Sequence, residues 1–599
     1  MSRKIFWLGL ATIAAVVLLT YMPALKLNFY ADDYSFVEMA GRSSLSQYLT
    51  FYFDPRVQTG WYRPVQGMLF GIEYVLFGIN PLGYHLVNVL VHLANCLLLF
   101  AIIWRVAKRW RIAFVAALVY SGLPLFGVAV FWPGDADFLL TLFYLASILF
   151  WVLHLQENSR ALYIAAFGSF LFALLTKEFG VTLPIILFLV DRLLLGQAVP
   201  SSDLVRRYIP FVAVWILYVP LELYVQSRSV LTQMYGYSLG AHSFSNFFQY
   251  LAWVVAPWGL PEPVNYVWLI IAISSVAYIS ITKKSAWLLF LAIAAVLAFL
   301  PVINFPWFFT RYLYMSVMAS AVLLALLIDR LVIYQSRFKW VSLPVSLIIA
   351  MIVLTSSFGS ANAAADFAEI GRQTRVAFRD ISQRHATFPK DTLIYFVDPL
   401  QPISQYSGMF FIRYGPSIHV SSTEASQQRV ELRQFPSAYV IYFDEEKRTR
   451  EIAVNSSAVS ASLSIDWNTR IQLLGYELPS TQIRSGDAIV LILYWQSSQP
   501  LTEDYVVKLE LVDASSGNVV ASQASEPRSG KAPTSTWKAH ELVTDVHVLE
   551  ITPDVSKSKN LLLKLTLIEL NTLGQVGIQK TNGESSSNEI VIQPISIVQ

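Results

Sequence analysis

Charged residues are scarce in this 599-residue sequence. Only 14% of its residues are Asp, Glu, Lys or Arg, whereas soluble domains carry about 25%. Cysteine is almost absent as well, because Cys96 is the single one, which excludes an intrachain disulfide and a cysteine-based metal site. The net charge of +3 is small and no basic stripe is interleaved with aromatic residues, so the composition excludes nucleic acid as a partner.

The shortage of charge is confined to the first part of the chain. Residues 1–358 contain a succession of long apolar runs, whereas residues 359–599 have an ordinary soluble composition. Because roughly 20 apolar residues cross a bilayer as a helix, we predict an all-α polytopic membrane domain over residues 1–358. The first run, 5–25, has no small-x-small cleavage site after it, so we interpret it as a retained helix rather than a signal peptide.

The loop charges predict the topology. Lys and Arg are retained on the cytoplasmic side of membrane proteins, and about eleven spans with a cytoplasmic N-terminus place most of them there. The predicted spans are 6–25, 83–104, 112–131, 136–154, 161–176, 178–195, 208–226, 265–282, 286–303, 311–333 and 339–358. The alternative adds 246–260 as a twelfth span, which would move Lys283, Lys284 and Arg330 outside, so we interpret that segment as interfacial. An odd number of spans in a plasma membrane places the C-terminal domain outside the cytoplasm.

A carboxylate pair follows the first span. Asp32 and Asp33 stand in the segment Tyr30-Ala-Asp-Asp-Tyr34. Such a pair at the outer membrane surface can supply a general base or hold a divalent cation. The alternative is a solvated helix start, because Asp favours N-cap positions.

Four polar residues lie on one face of the second span. His85, Asn88, His92 and Asn95 are spaced three, four and three residues apart, which aligns them on a helix. Polar groups at membrane depth turn towards a partner or a wet cavity, so this face points into the bundle. Interhelical hydrogen bonding is the favoured interpretation for His92 and Asn95. His85 lies near the outer end of the span, and for this residue a functional role and simple hydrogen bonding are equally favoured.

Further ionisable residues fall at the same outer face. Lys177 and Glu178 interrupt two apolar runs, which indicates that they face a cavity or end a helix. Arg311 opens a span, either as a snorkelling side chain or as a group that grips phosphate. The residues assigned to this face are Asp32, Asp33, Arg63, His85, Asp135, Asp137, Lys177, Glu178 and Arg311. Acids and bases gathered at one membrane face predict a reaction that uses a lipid-held phosphate.

Several motifs resemble those of the GT-C class of polytopic glycosyltransferases. They are the Asp pair, Tyr62-Arg-Pro64, the run Phe77-Gly-Ile-Asn-Pro-Leu-Gly-Tyr-His-Leu-Val-Asn-Val-Leu-Val-His92, Thr176-Lys-Glu-Phe179 and Arg311-Tyr-Leu-Tyr314. The resemblance spans about residues 5–330 and is nearest to the protein O-mannosyltransferases, including the tetratricopeptide-carrying ones. Residues 31–38 are also similar to the first-loop motif of lipid A aminoarabinose transferases. No tetratricopeptide repeat follows here, so the acceptor of those relatives is not carried over.

The resemblance implies a reaction and a role for each residue. Such enzymes pass a sugar from a polyprenyl-phosphate carrier to a lipid, glycan or protein acceptor at the extracytoplasmic face, with inversion. Asp32 corresponds to the general base, and Asp33 stands where members of the family often have Glu. The substrate-binding set comprises Asp135 or Asp137 for acceptor or donor, the phosphate-gripping cations Arg63, Lys177 and Arg311, and His85, Glu178 and Tyr312. No cofactor is required, although a divalent cation is compatible with the chemistry.

The soluble half is predicted to contain two parts. Residues 359–460 indicate a helical linker and a small α/β module, with strands at 392–398 and 439–444. Residues 461–599 show short strands separated by turn residues, which is typical of a β-sandwich. Trp495 and Trp537 could bind glycan, but core packing is the favoured interpretation.

Two other functions compete with the transferase. A transporter or flippase of lipid-linked sugars could use the same cations, but the clustered acids favour an enzyme and no internal repeat is evident. A receptor anchored by the membrane half would not need eleven spans.

Overall fold

The computed structural model divides the chain into two compact units, Met1–Gln373 and Thr374–Gln599. The structure describes residues 3–58, 60–123, 127–196, 201–229, 237–255, 264, 266–267, 269–274, 285–335, 342–423, 429, 431–467, 470–484, 486–551, 560–579 and 588–598. The predicted span 265–282 and the end of the segment 246–260 lie largely outside the described residues.

The described part of the first unit is helical. Its helices are α1 (Arg3–Tyr21), α2 (Asp33–Arg42), α3 (Leu45–Phe53), α4 (Pro64–Phe77), α5 (Pro81–Ala107), α6 (Trp110–Ser121), α7 (Gly127–Phe131), α8 (Asp137–Glu157), α9 (Arg160–Thr176), α10 (Leu183–Leu189), α11 (Ser201–Arg228), α12 (Ala241–Val255), α13 (Ala286–Phe299), α14 (Met318–Gln335) and α15 (Ser342–Thr374). Proline sets two of the starts, because its fixed φ and missing N–H suit the first turn: α4 begins at Pro64 and α5 at Pro81.

Only part of the predicted topology appears as long apolar helices. Within the described ranges, four segments have the length and apolarity to cross a membrane: Arg3–Lys26, Pro81–Ala107, Asp137–Glu157 and Val205–Arg228. The predicted span 112–131 is divided between α6 and α7, and the predicted span 178–195 between a 3₁₀ turn, α10 and a π-helical turn. Pro184 lies in the first turn of α10, where its missing N–H forces the helix to restart. The membrane-like helical character is confirmed, whereas the count of eleven stays a prediction.

α5 lies at the centre of the first unit, and its polar residues bond to neighbouring elements. His92 Nδ1 lies 2.7 Å from the Tyr314 hydroxyl, and Asn95 Nδ2 donates to the same oxygen at 3.1 Å. Asn88 Nδ2 donates to the carbonyl of Val130 at 3.1 Å. The interpretation of His92 and Asn95 as interhelical hydrogen-bonding groups is therefore confirmed.

The second unit is rich in strands, as the sequence predicts. Its elements are α16 (Val376–Arg384), β1 (Thr392–Phe396), α17 (Ile403–Tyr414), β2 (Ile418–Ser422), β3 (Ser437–Phe443), β4 (Thr449–Ala453), β5 (Val459–Trp467), β6 (Ile471–Leu478), β7 (Gln482–Arg484), β8 (Ala488–Ser497), β9 (Tyr505–Asp513), β10 (Val519–Ser525), β11 (Val543–Glu550), β12 (Leu561–Glu569), β13 (Ile578–Gln579) and β14 (Glu589–Val598). A four-stranded sheet of order β2-β1-β3-β4 pairs β1 in parallel with both its neighbours.

Two five-stranded sheets enclose the larger core of this unit. Their strand orders are β10-β9-β12-β14-β7 and β11-β8-β6-β5-β13. Inward side chains of both sheets form one apolar cluster, in which Trp495 is 0% and Trp537 4% exposed. These two tryptophans therefore fill the core, and the favoured interpretation is confirmed.

Candidate active site

The two aspartates after the first helix have different surroundings. Ala31, which precedes them, has a left-handed φ of +47°, and Asp32 at the N-cap of α2 makes no side-chain capping bond and is exposed. Asp33 is buried, and its carboxylate accepts the N–H of Tyr30 at 2.8 Å and the N–H of Gly134 at 2.7 Å. Asp33 therefore ties the loop to the turn at 132–137, whereas the carboxylate of Asp32 stays available.

The electrostatics of the pair follow from this placement. Neighbouring protein atoms displace part of the water around the exposed Asp32 and raise its pKa, and the positive charge of Arg311 opposes the rise. Burial also raises the pKa of Asp33 well above its usual value, although the N–H groups of Tyr30 and Gly134 favour its ionised form. The charges of Asp32 and Arg311 therefore interact across the site.

A buried ion pair joins the start of α8 to the end of α9. Lys177 Nζ lies 2.6 Å from Asp137 Oδ1, and the two side chains are 3% and 6% exposed. The ammonium also lies 4.7 Å from the ring centres of Phe179 and Tyr312, which adds cation–π attraction. Asp135 Oδ1 accepts the N–H of Asp137 at 3.0 Å, and the Oδ2 atoms of both aspartates are buried without a hydrogen-bond partner among the described residues.

A second ion pair starts from the neighbouring residue. Arg63, just before α4, donates from Nε and Nη2 to the Glu178 carboxylate at 2.9–3.2 Å. Its guanidinium lies 5.4 Å from the ring centre of Trp61. Lys177 has an extended backbone after α9, so it and Glu178 reach different elements. Arg63 and Lys177, the predicted phosphate cations, are thus both neutralised by carboxylates in this conformation.

Arg311 is the cation that differs. It lies in a 3₁₀ turn, Thr310–Leu313, and its guanidinium carbon lies 4.9 Å from the Trp132 ring centre, 5.1 Å from Phe309 and 4.9 Å from Tyr312. Nη2 donates to the Tyr312 hydroxyl at 3.0 Å, whereas Nε is buried with no acceptor in the described ranges. No described carboxylate is within 4.0 Å of it, although the charges of Asp135 and Asp137 act on it from further away.

His85 occupies a separate position. Its imidazole is fully buried against the backbone of Leu27 and Asn28. Neither nitrogen has the geometry of a hydrogen bond to any described residue. It therefore supports the segment that leads to Asp32 rather than lying beside the ion pairs, and its predicted contact with substrate stays a prediction.

Aromatic residues that the sequence analysis did not single out hold the charged groups in place. The Trp132 ring lies 5.6 Å from Tyr30, and Tyr30 lies 4.5 Å from Phe367 of α15. The position of Trp132 beside the acidic turn was a signal that could have identified it, whereas Phe367 offers none. The backbone of residue 134 lies so close to its neighbours that only glycine fits there. A Cβ would come within 2.9 Å of the Asp33 carboxylate and of the Trp132 indole nitrogen.

The described residues contain no group of three His, Cys, Asp or Glu that could hold a metal ion. The expectation that the reaction requires no metal stays a prediction.

Comparison with known proteins gives matches to part of the first unit, including Asp135, Asp137, Lys177 and Glu178 of this site. Residues 64–224 match the family described as dolichyl-phosphate-mannose-protein mannosyltransferase. The chain is 29% identical to protein O-mannosyl-transferase Tmtc1 of Drosophila melanogaster over 196 residues, which cover 31% of this chain and 23% of that protein. It is 32% identical to protein O-mannosyl-transferase TMTC2 of Homo sapiens over 155 residues, which cover 23% and 18%. The chain thus matches less than a quarter of the length of these relatives, and the predicted resemblance to O-mannosyltransferases is confirmed over that region.

Solved structures with some likeness were also found. ArnT from Cupriavidus metallidurans bound to undecaprenyl phosphate gives a TM-score of 0.49 at 14% identity, covering 76% of this chain and 99% of that one. Arabinosyltransferase EmbB from Mycobacterium smegmatis gives a TM-score of 0.26 at 11% identity, covering 92% and 64%.

Proposed function

We propose that the chain is a membrane glycosyltransferase that moves a sugar from a polyprenyl-phosphate donor to the hydroxyl of a lipid, glycan or protein acceptor at the extracytoplasmic face. The match of residues 64–224 to a mannosyltransferase family supports the reaction class. The observation that carries the proposal is the electrostatic interaction of an exposed carboxylate, Asp32, with Arg311, a cation that has no carboxylate within 4.0 Å among the described residues.

This arrangement suits a one-step displacement. Asp32 takes the proton of the acceptor hydroxyl as its oxygen attacks the anomeric carbon. The bond from that carbon to the phosphate oxygen breaks, and polyprenyl phosphate leaves. Arg311 stabilises the charge that grows on the departing phosphate, where a planar guanidinium matches two oxygens. Attack from the face opposite the leaving group inverts the anomeric carbon.

The two ion pairs have a positioning role in this proposal. Asp137 and Glu178 hold Lys177 and Arg63 at the rim of the site, so a donor phosphate must compete with carboxylates to engage them. Arg311 therefore binds the phosphate first. The unpartnered Oδ2 atoms of Asp135 and Asp137 would accept hydrogen bonds from sugar hydroxyls.

The test uses the full chain in lipid nanodiscs. We expect a panel of polyprenyl-phosphate sugars, offered with membrane lipid, glycan and peptide acceptors, to yield one transferred product detectable by mass spectrometry. Asp32→Asn should reduce turnover by about 10²–10⁴-fold, the usual contribution of a general base, while donor binding persists. Glu38→Gln, a change on the same helix α2, is the matched control and should leave turnover unchanged.

Two outcomes would overturn the proposal. Full turnover in Asp32→Asn would remove this carboxylate from the chemistry. Movement of the donor across vesicle membranes without any transferred product would identify a transporter instead.

A further inference from the structure

The edge of the sandwich between β10 and β11 contains a polar cluster that the transferase reaction does not use. The chain crosses here from one five-stranded sheet to the other. Ser525 is the last residue of β10, and Asp545 and His547 stand two residues apart on β11. Because side chains alternate along a strand, Asp545 and His547 point to the same, inner face, which they share with Leu549 of the core.

The three side chains form a continuous hydrogen-bonded row. His547 Nε2 lies 2.7 Å from Asp545 Oδ2, and Ser525 Oγ lies 3.3 Å from His547 Nδ1. With the proton on Nε2 directed to the carboxylate, Nδ1 presents a lone pair to the serine hydroxyl. Asp545 and His547 are at most 1% exposed, whereas Ser525 is partly exposed. Ser525 is therefore the only one of these three residues that is not buried.

The carboxylate of Asp545 is held by two further donors. The N–H of Arg528 donates to Oδ1 at 2.7 Å, and the indole Nε1 of Trp495 donates to Oδ2 at 3.3 Å. A buried carboxylate held by these contacts fixes the orientation of the imidazole. This is the arrangement in which a base is oriented by a third group.

The crossing turn beside the row is strained and leaves polar atoms unpaired. Arg528, Ser529 and Gly530 have consecutive left-handed φ values of +54°, +53° and +83°, a conformation that is strained at a non-glycine residue and that clusters at functional sites. Two side-chain atoms here are buried without a hydrogen-bond partner among the described residues: Arg528 Nε has no acceptor, and Gln523 Oε1 has no donor. Gln523 lies two residues before Ser525, on the same face of β10. The segment around Ser525 thus contains one donor and one acceptor that are unpaired among the described residues.

We propose that Ser525 is the nucleophile of a second catalytic site, with His547 as its base and Asp545 as the orienting carboxylate, and that this site hydrolyses small carboxylic esters. The proposal is independent of the transferase reaction, because every group it uses lies in the second unit. Since His547 and Asp545 are buried and Ser525 is only partly exposed, we expect a short acyl group, such as acetyl.

The chemistry balances with water as the second reactant. Ser525 Oγ bonds to the ester carbonyl carbon while its proton passes to His547 Nδ1. The bond from that carbon to the alcohol oxygen then breaks, and the alcohol leaves with the proton from His547. Water next attacks the acyl-serine, gives a proton to the imidazole, and releases the carboxylic acid as the proton returns to Ser525. The unpaired Nε–H of Arg528 is the donor available to the carbonyl oxygen during both attacks.

The test uses the purified full chain and a fluorophosphonate probe, which phosphonylates activated serines. We expect an adduct on the peptide that contains Ser525, located by mass spectrometry, and hydrolysis of p-nitrophenyl acetate that the adduct abolishes. Ser525→Ala should remove both signals. Ser522→Ala, on the same strand with an exposed side chain, is the matched control and should retain both.

The native protein itself gives the decisive comparison, so the result does not depend on a variant that fails to fold. Labelling of Ser525 in folded protein but not in heat-denatured protein supports the proposal, and so does at least tenfold slower labelling in His547→Gln at an unchanged thermal unfolding temperature. Absence of the Ser525 adduct from native protein, or equal labelling after denaturation, overturns it. Neither result bears on sugar transfer, which is measured separately.

Discussion

Substitution of Asp137 by Asn removes the carboxylate from the buried ion pair with Lys177. The ammonium, with a side chain 3% exposed, would lose an anion 2.6 Å away and keep only the rings of Phe179 and Tyr312. Breaking a buried pair by removing one partner costs about 3–5 kcal/mol. Because the Asn side-chain oxygen can still accept a hydrogen bond from Lys177 Nζ, we expect a destabilisation at the lower end of this range, about 3 kcal/mol. That corresponds to a loss of about a hundredfold in the ratio of folded to unfolded protein.

The assay is unfolding of the full chain in mixed micelles under increasing denaturing detergent. The surface pair Arg105–Glu157, with side chains 45% and 51% exposed, provides the control, and Glu157→Gln should cost at most about 1 kcal/mol. The double variant Asp137→Asn/Lys177→Met should recover part of the loss, because no unpaired charge stays buried. An Asp137→Asn effect no larger than that of Glu157→Gln would refute the reasoning.

Three further predictions concern turnover. Arg311→Met should lower it about 10²–10³-fold, as for loss of one transition-state donor, and Arg311→Lys should lower it less; equal turnover in the two variants would argue against a phosphate contact. The surroundings of Asp32 raise its pKa, and a general base must be ionised to act. The transfer rate should therefore fall as the pH is lowered, with a midpoint above about 4, the ordinary pKa of Asp. A midpoint at or below about 4 would contradict the assignment of Asp32 as the base. Phe367→Ala removes the ring that packs against Tyr30 and should reduce kcat up to about tenfold without changing the affinity for the donor. Ile370 is exposed on the same helix, and Ile370→Ala should change neither kcat nor donor affinity.

The sequence could predict the class of the two halves because composition and periodicity are local properties. Long apolar runs before residue 358 and short alternating runs after residue 461 correspond to the helical and the strand-rich units. Helical spacing likewise predicted that His92 and Asn95 face the bundle, and their shared partner, the Tyr314 hydroxyl, confirms it. Where an apolar run holds an internal break, as at Pro184, composition alone overestimated the length of the helix.

The site depends on contacts that the sequence does not encode locally. Arg63 and Glu178 form an ion pair although they are 115 residues apart in the sequence. Local sequence patterns do not predict that these two charges neutralise each other. Equally, the sequence treats Asp32 and Asp33 as equivalent, and only the approach of Gly134 reveals that Asp33 is committed to the backbone. The loop charges predict that these residues share one face, but their contacts with distant residues determine which side chains are already paired.

The account rests on Asp32 and the Arg311 turn facing the same side of the membrane. Cys96 is the only cysteine in the sequence, so one substitution gives a cysteine-free protein for labelling. Asp32→Cys and Trp307→Cys, the latter at a position 49% exposed near Arg311, can then be labelled in intact cells with a membrane-impermeant maleimide. We predict that both are labelled from outside and that Glu157→Cys is labelled only after permeabilisation. Labelling of Asp32→Cys and Trp307→Cys from opposite sides would contradict the proposed active site.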